Sequence, residues 1–270
     1  MTGSAIRLDE SLSAVAQRRT LFARTLAVSD LDAGTLDAAF TLFHAAYEGA
    51  DRARFERDLF EKQHVILLYD HEMRCLRGFS TVLVRRIDGP SGPATVVFSG
   101  DTVIDRAYWG QKQLQLAFAR LLFALKLRAP TEKLYWFLVS KGYRTYVLLA
   151  NAFPRAVPRV DREDDVELRR VLDALAVARF GADYDAGRGV VRYAVPHEHV
   201  RDGVAPLTDA ALRSPHVRFF AGRNPGHASG DELACLAEVR VRDLARTLVR
   251  IALALAGRAL GIGGRVSVAR

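Results

Sequence analysis

Three stretches of this 270-residue sequence carry side chains able to move protons or hold charged ligands. In "FSGDTVIDRAYWGQKQLQLAF", residues 98–118, Asp101 stands among apolar neighbours. Burial raises the pKa of such a carboxyl and fits it to act as a base, directly or through water. The same carboxylate could equally cap a bulge next to Gly100. In "SKGYRTY", residues 140–146, Ser140, Lys141 and Gly142 make a polar corner at the carboxyl edge of a strand. Ligands of α/β folds commonly bind at that edge, and Lys141 there suits a phosphate or a substrate carboxylate. Tyr143 and Tyr146, three residues apart, line one side of the next helix, either as phenolic acids of pKa about 10 or as core packing.

The third stretch, "FFAGRNPGHASGDELACLAE", residues 219–238, writes two turns around His227. Either Asn224, His227 and Asp231 close over a substrate, or Ser229 or Asp231 simply caps the last helix. "HEH" sets His197 and His199 on one face of a strand, with His216 and His227 elsewhere. No spacing among them matches a zinc pattern, so no metal is expected.

The elements that must position these groups follow from period and punctuation. A helix over residues 1–19 and a short strand "FARTLAVSD" lead into "DLDAGTLDAAFTLFHAAYEG", with Leu36, Phe40, Leu42, Phe43 and Tyr47 at helical spacing and Asp30 as its cap. "DRARFERDLFEK" repeats the pattern through Phe55, Leu59 and Phe60. "HVILLYD", "CLRGFSTVLVRRI" and "ATVVFSGDTVI" are strands, and the turns "DHEMR" and "DGPSGP" make them successive and antiparallel. A helix from Trp109 to Leu127, a strand "KLYWFLV" and a helix from Tyr143 to Ala152 follow, stopped by the prolines of "FPRAVPR". The remainder reads as an amphipathic helix "EDDVELRRVLDALAVARF", a strand "GVVRYAVP", a long irregular stretch and a final helix over residues 231–260. Arg242, Arg246 and Arg250 recur at four-residue spacing along that helix. It suits core or homodimer packing, with contact to a membrane surface as the alternative.

Net charge is +8, and 34 of the 39 basic residues are arginine. These are dispersed through helices without interleaved aromatics, which argues against nucleic acid. An acidic partner or a phosphorylated cosubstrate suits the charge better. The five lysines, Lys62, Lys112, Lys126, Lys133 and Lys141, all fall mid-chain. They mark either chance placement or sites where guanidinium does not replace ammonium. No apolar run is long enough to span a bilayer and no secretion signal is evident, so a cytoplasmic protein is expected. Cys75 and Cys235 read as buried thiols.

The order helix pair, three antiparallel strands, helix, strand, helix over residues 20–158 resembles the GNAT superfamily of N-acetyltransferases. The resemblance implies a mixed α/β fold, mainly antiparallel and flanked by helices, with residues 1–158 as the acyltransferase domain and 159–270 as an extension completing the sheet. It implies transfer of an acyl group from a thioester to a small-molecule amine, with acyl-CoA or acyl-phosphopantetheine as cosubstrate and none bound tightly. A noncatalytic ligand- or partner-binding module on the same fold is the alternative.

Within that resemblance, "IDRAYWGQKQLQLAF" takes the place of the family's acyl-CoA loop, whose backbone N–H groups and helix N-terminus hold the pyrophosphate. Lys112 and Leu114 stand where the family has small residues, and only Gly110 remains, one turn early. Gln111, Lys112 and Gln113 would then meet phosphate through side chains. An acyl carrier protein is the alternative donor, as in similar N-acyl amino acid and acyl-homoserine lactone synthases, and its acidity would match this basic chain. The candidates are Asp101, Tyr143 and Tyr146 for catalysis, the tyrosine protonating the departing thiolate. Val103, Ile104, Gly110, Gln111, Lys112 and Lys141 would hold the cosubstrate, and Ser99, Asn224 and His227 the acceptor.

Overall fold

The computed structural model describes residues 20–193, 198–201 and 206–259. The helix expected over residues 1–19, His197 and the chain beyond Ala259 lie outside the described residues. Strand β1 (Leu21–Ala27) is followed by helix α1 (Ala33–Ala46), the short β2 (Tyr47–Glu48) and α2 (Arg52–Phe60). Asp32 caps α1 in place of Asp30, because Val28–Asp30 is already a tight 3-10 turn. Strands β3 (His64–Asp70), β4 (Leu76–Gly89) and β5 (Gly92–Ile104) form the expected antiparallel meander. Helix α3 (Gln113–Arg128) carries the chain back to β6 (Lys133–Ser140), which lies parallel to β5.

Helix α4 (Tyr143–Ala152), β7 (Ala156–Val157), α5 (Val166–Phe180), β8 (Tyr184–Asp185), β9 (Val190–Val191) and β10 (His199–Val200) follow. Helices α6 (Asp209–Leu212) and α7 (Pro215–Arg223) then lead to β11 (Glu232–Glu238) and α8 (Val241–Ala259). The main sheet runs β1-β3-β4-β5-β6-β11-β9-β8, with β7 also on β11, while β10 pairs β2 separately. It is a mixed, mainly antiparallel sheet flanked by helices.

Alternation sorts the helices into two layers. Ile66, Val82, Val97, Leu138 and Cys235 face one way, against Phe118 of α3, Leu149 of α4, Phe220 of α7 and Leu244 of α8. On the other face, Leu67 and Phe79 meet Phe43 of α1 and Phe55 of α2, and Leu83, Phe98 and Leu236 meet Leu168 and Leu172 of α5. Each large apolar side chain so buried contributes about 1.5–3 kcal/mol.

The single helix expected over residues 231–260 is two elements. All seven residues of β11 are buried, with Leu233, Cys235 and Ala237 in one core and Ala234 and Leu236 in the other. A central strand covered on both faces shows no alternation, and Ala, Leu and Glu read as helix formers when propensity alone is used. Asp231 therefore leads into a strand and caps no helix. Likewise α3 starts at Gln113 and not Trp109, because Arg106–Tyr108 is a 3-10 turn and Gly110 adopts φ 85°. The strand expected across "GVVRYAVP" pairs only at Val190–Val191 among the described residues. Cys75 is exposed in the turn between β3 and β4, whereas Cys235 is buried.

No helix among the described residues is long and apolar enough to cross a membrane. Helix α8 buries Leu244 and Ile251 and leaves Val241, Val249 and Leu253 exposed.

Candidate functional site

One irregularity in the sheet organises the site. Ser80 of β4 opposes Thr102, yet Val82 opposes Ser99, so β5 carries one residue more than β4 across that interval. The extra residue is a β-bulge at Gly100–Asp101, a device that re-aims a side chain and locally interrupts pairing. At the same level the parallel pair separates. Strand β5 pairs β6 from Ala94↔Lys133 only as far as Ser99↔Leu138. Beyond that point β5 continues along β4 to Ile104, and β6 continues along β11 to Ser140.

The bulge sets Asp101 among charged groups on the face of the sheet covered by α1, α2 and α5. Lys141, just past the end of β6, donates from Nζ to Glu198 Oε1 at 2.9 Å and lies 3.3 Å from Glu232 Oε1. The Lys141 ammonium also sits 5.2 Å from the centre of the Tyr47 ring. Burial alone pushes that ammonium down, but Glu232, Tyr47 and Glu198 hold it well above the ordinary lysine range. Lys62 is buried, with Nζ donating to the Asp58 carbonyl at 2.6 Å. Burial and the nearby Arg179 push its pKa down. Asp101 keeps partial exposure, and burial, opposed by Lys141 and Lys62, pushes its carboxyl up to about 6. Burial likewise pushes up the Tyr47 phenol and the Glu232 carboxyl. Glu232 Oε2 and Thr81 Oγ1 are buried without a hydrogen-bond partner. Such atoms mark places where water or a ligand completes the site.

Above the parted strands, two helices begin without a capping side chain: α3 at Lys112 and α4 at Gly142. Their N–H groups and dipoles favour an anion there. The loop between β5 and α3 is braced. Trp109 Nε1 donates to the Ile104 carbonyl at 2.8 Å, the Arg144 guanidinium stacks 4.2 Å from the Trp109 ring centre, and the Tyr108 hydroxyl donates to buried Asp70. Gln111 Oε1 accepts from Leu21 N–H at 3.0 Å, so its side chain ties the loop to β1.

Several sequence candidates do other work. The Ser99 hydroxyl accepts from Trp136 Nε1 at 2.9 Å inside the opposite core, because Ser99 precedes the bulge and faces α3 and α4. Tyr146 is fully buried in that same core, its hydroxyl 3.2 Å from His216 Nδ1 and its ring against Phe219 and Phe220. Tyr143, the first residue of α4, is half-buried beside the uncapped N-terminus. Asn224 is fully buried and donates from Nδ2 to the Asp231 carbonyl at 2.8 Å, and His227 packs its ring on Phe220. Both brace the turn into β11. Val103 is buried between α1, α2 and the sheet, while Ile104 packs beside Tyr108.

The site thus joins Asp101 and Lys141, which the sequence singled out, and Lys62, which it marked only as one of five mid-chain lysines, to Tyr47, Asp58, Glu198 and Glu232, which it did not. The available signal was compositional: in an arginine-rich chain with five lysines, two of them flank Asp101. Among the described residues no three His, Cys, Asp or Glu side chains gather as a metal site.

No protein-family model and no curated protein sequence matches this chain. Solved structures do resemble part of it. A probable N-acyltransferase from Enterococcus faecalis is 15% identical, with a TM-score of 0.37, and the match covers 48% of this chain and 32% of that one. An acyl-CoA N-acyltransferase from Pseudomonas aeruginosa is 16% identical over 49% of this chain and 84% of that one, with a TM-score of 0.35. A GNAT family N-acetyltransferase from Escherichia coli, solved in complex with CoA, is 15% identical over 49% and 72%, with a TM-score of 0.35. Each is similar to about half of this chain.

Proposed function

We propose that this chain moves an acyl group from a thioester, on CoA or on an acyl carrier protein, to a small-molecule amine. The observation that carries the reading is the bulge at Gly100–Asp101, where β5 leaves β6 and a carboxyl with a pKa of about 6 faces the opening. A base poised near the working pH is what abstraction of a proton from an ammonium requires.

The donor's thioester arm lies between the parted strands. Its phosphate end meets the loop before α3, where Lys112 supplies an ammonium and Gly110 a tight turn. Leu114 narrows the room for a pyrophosphate against the backbone, so the side chains of that loop share the contact. Asp101 takes one proton from the acceptor's ammonium. The free amine nitrogen then attacks the thioester carbonyl carbon, forming the C–N bond, and the C–S bond breaks as the tetrahedral intermediate collapses. A backbone N–H of the bulged strand faces the transient oxyanion. The nitrogen's second proton leaves with solvent, and the thiolate takes one from Tyr143 at the start of α4, where the helix dipole also favours negative charge.

Heating the full chain with and without acetyl-CoA, octanoyl-CoA and octanoyl carrier protein tests donor binding. A rise in Tm of several degrees with one of them supports the reading. No rise with any favours a noncatalytic module, whose sequence basis is the replacement of the family's small residues by Lys112 and Leu114.

A further inference from the structure

A cavity of about 320 Å³ opens between α2 and α5 on the face of the sheet that holds Asp101. It is lined by Arg54, Arg57 and Arg179 and by Asp58, Glu61 and Glu198. Most of these charges are already matched. Arg54 lies 3.6 Å from Glu198, Arg179 Nη2 donates to Glu61 at 3.2 Å, and Lys141 holds Glu198 and Glu232.

Two donors of the cavity lining are left over: Arg57 is exposed and forms no ion pair among the described residues, and Arg179 Nε is buried without a partner while its guanidinium rests 4.3 Å from the Phe98 ring centre. Acceptors are left over behind that lining: Glu232, 7% exposed, has Oε2 unpartnered, Thr81, 1% exposed, has Oγ1 unpartnered beside Gly100, and Asp101 stands in the fields of Lys141 and Lys62. Counting both shells, the cations Arg54, Arg57, Lys62, Arg179 and Lys141 balance the carboxylates of Asp58, Glu61, Asp101, Glu198 and Glu232. A ligand of net single charge would upset that balance, whereas one with a cation at one end and an anion at the other matches both sets of unmatched groups.

We propose that the acceptor is a small zwitterion of no net charge, its amine directed inward toward Asp101 and Glu232 and its singly anionic group, a carboxylate or a sulfonate, held by Arg57 and Arg179. This rests on the acyl-transfer reading for which end reacts. The site itself rests on its unmatched charges and needs no donor.

The test therefore has a binding arm that needs no donor and a turnover arm that does. In the first, calorimetry on the full chain compares 3-aminopropanoate and 2-aminoethanesulfonate with ethylamine. One of the two zwitterions binds at least about tenfold more tightly, as one charge-assisted contact provides, and which one does so identifies the anion. In Arg57→Ala and Arg179→Gln that preference narrows to about twofold. Arg57 is exposed, so the first variant keeps the native Tm. In the second arm, acyl transfer to the same probes shows the same ranking in kcat/KM. Equal binding of ethylamine and both zwitterions, or a preference untouched by both substitutions, overturns the inference. Zwitterion binding without acylation of any amine upholds the site and removes the acyl-transfer reading. Acylation of amines irrespective of their anionic group does the reverse.

Discussion

The Lys62 side chain lies directly against Gly100: a Cβ placed there would stand 3.1 Å from Lys62 Cε and 2.5 Å from Thr81 Oγ1. The glycine is what lets a buried lysine approach the bulged strand next to Asp101. Gly100→Ala therefore displaces Lys62 and Thr81 and costs about 1–3 kcal/mol. The expected result is a lower denaturation midpoint together with loss of acyl transfer. Retention of both would show that the close approach has no role.

Asp101 ionises at about 6 in the folded chain against an ordinary value of 3.8. As a base it works when ionised, so kcat/KM rises with pH through about 6 and levels above it, and Asp101→Asn abolishes that limb. The same shift has a thermodynamic sign. A carboxyl whose pKa is raised on folding binds its proton more tightly in the folded state, so its contribution falls as pH rises from about 4 through 6. Asp101→Asn should then gain Tm relative to the native chain at pH 8 but not at pH 4. Tm curves of both proteins across this range check the prediction.

Tyr143 and Tyr146 separate by environment. Tyr146→Phe removes a hydroxyl committed to His216 in the core, with an expected loss of about 1 kcal/mol in stability and little change in turnover per folded molecule. Tyr143→Phe, at the uncapped start of α4, should lower kcat by about tenfold or more with unchanged Tm. Reversal of the two outcomes would move the proton donor into the core.

Lys141 is held by two carboxylates with little solvent access. Lys141→Met leaves the buried Glu232 without its cation, a loss of about 3–5 kcal/mol by urea denaturation. Lys112→Ala instead removes the ammonium proposed to meet the donor's phosphate. It should raise KM for acyl-CoA several-fold while the denaturation midpoint stays fixed.

The outer frame of this molecule is legible in its sequence. Strands β3, β4 and β5 announce themselves by β-branched runs and turn residues, and α4 is bounded by Gly142 and the prolines after it. Asp101 stands out because the apolar neighbours of a carboxylate within "VVFSGDTVI" offer it no partner. The centre is less legible. β11 is buried on both faces and hides its period, so "ELACLAE" passes for helix. The partners of Asp101 come from four separate segments, at Tyr47, at Asp58 and Lys62, at Glu198, and at Glu232, and sequence spacing carries no trace of contacts made only by folding. Ser99 misled for the opposite reason: the bulge that follows it turns Asp101 toward the site and leaves Ser99 facing Trp136.

The most direct test of the central claim uses the full chain with acetyl-CoA, octanoyl-CoA and the same acyl groups on a carrier protein, each with the amine probes named above, followed by mass spectrometry and thiol titration. An N-acyl amine and a free thiol should form in equal amounts with at least one donor, and the rate should fall about 100-fold or more in Asp101→Asn. Absence of amide with every donor, or an undiminished rate in Asp101→Asn, would contradict the account.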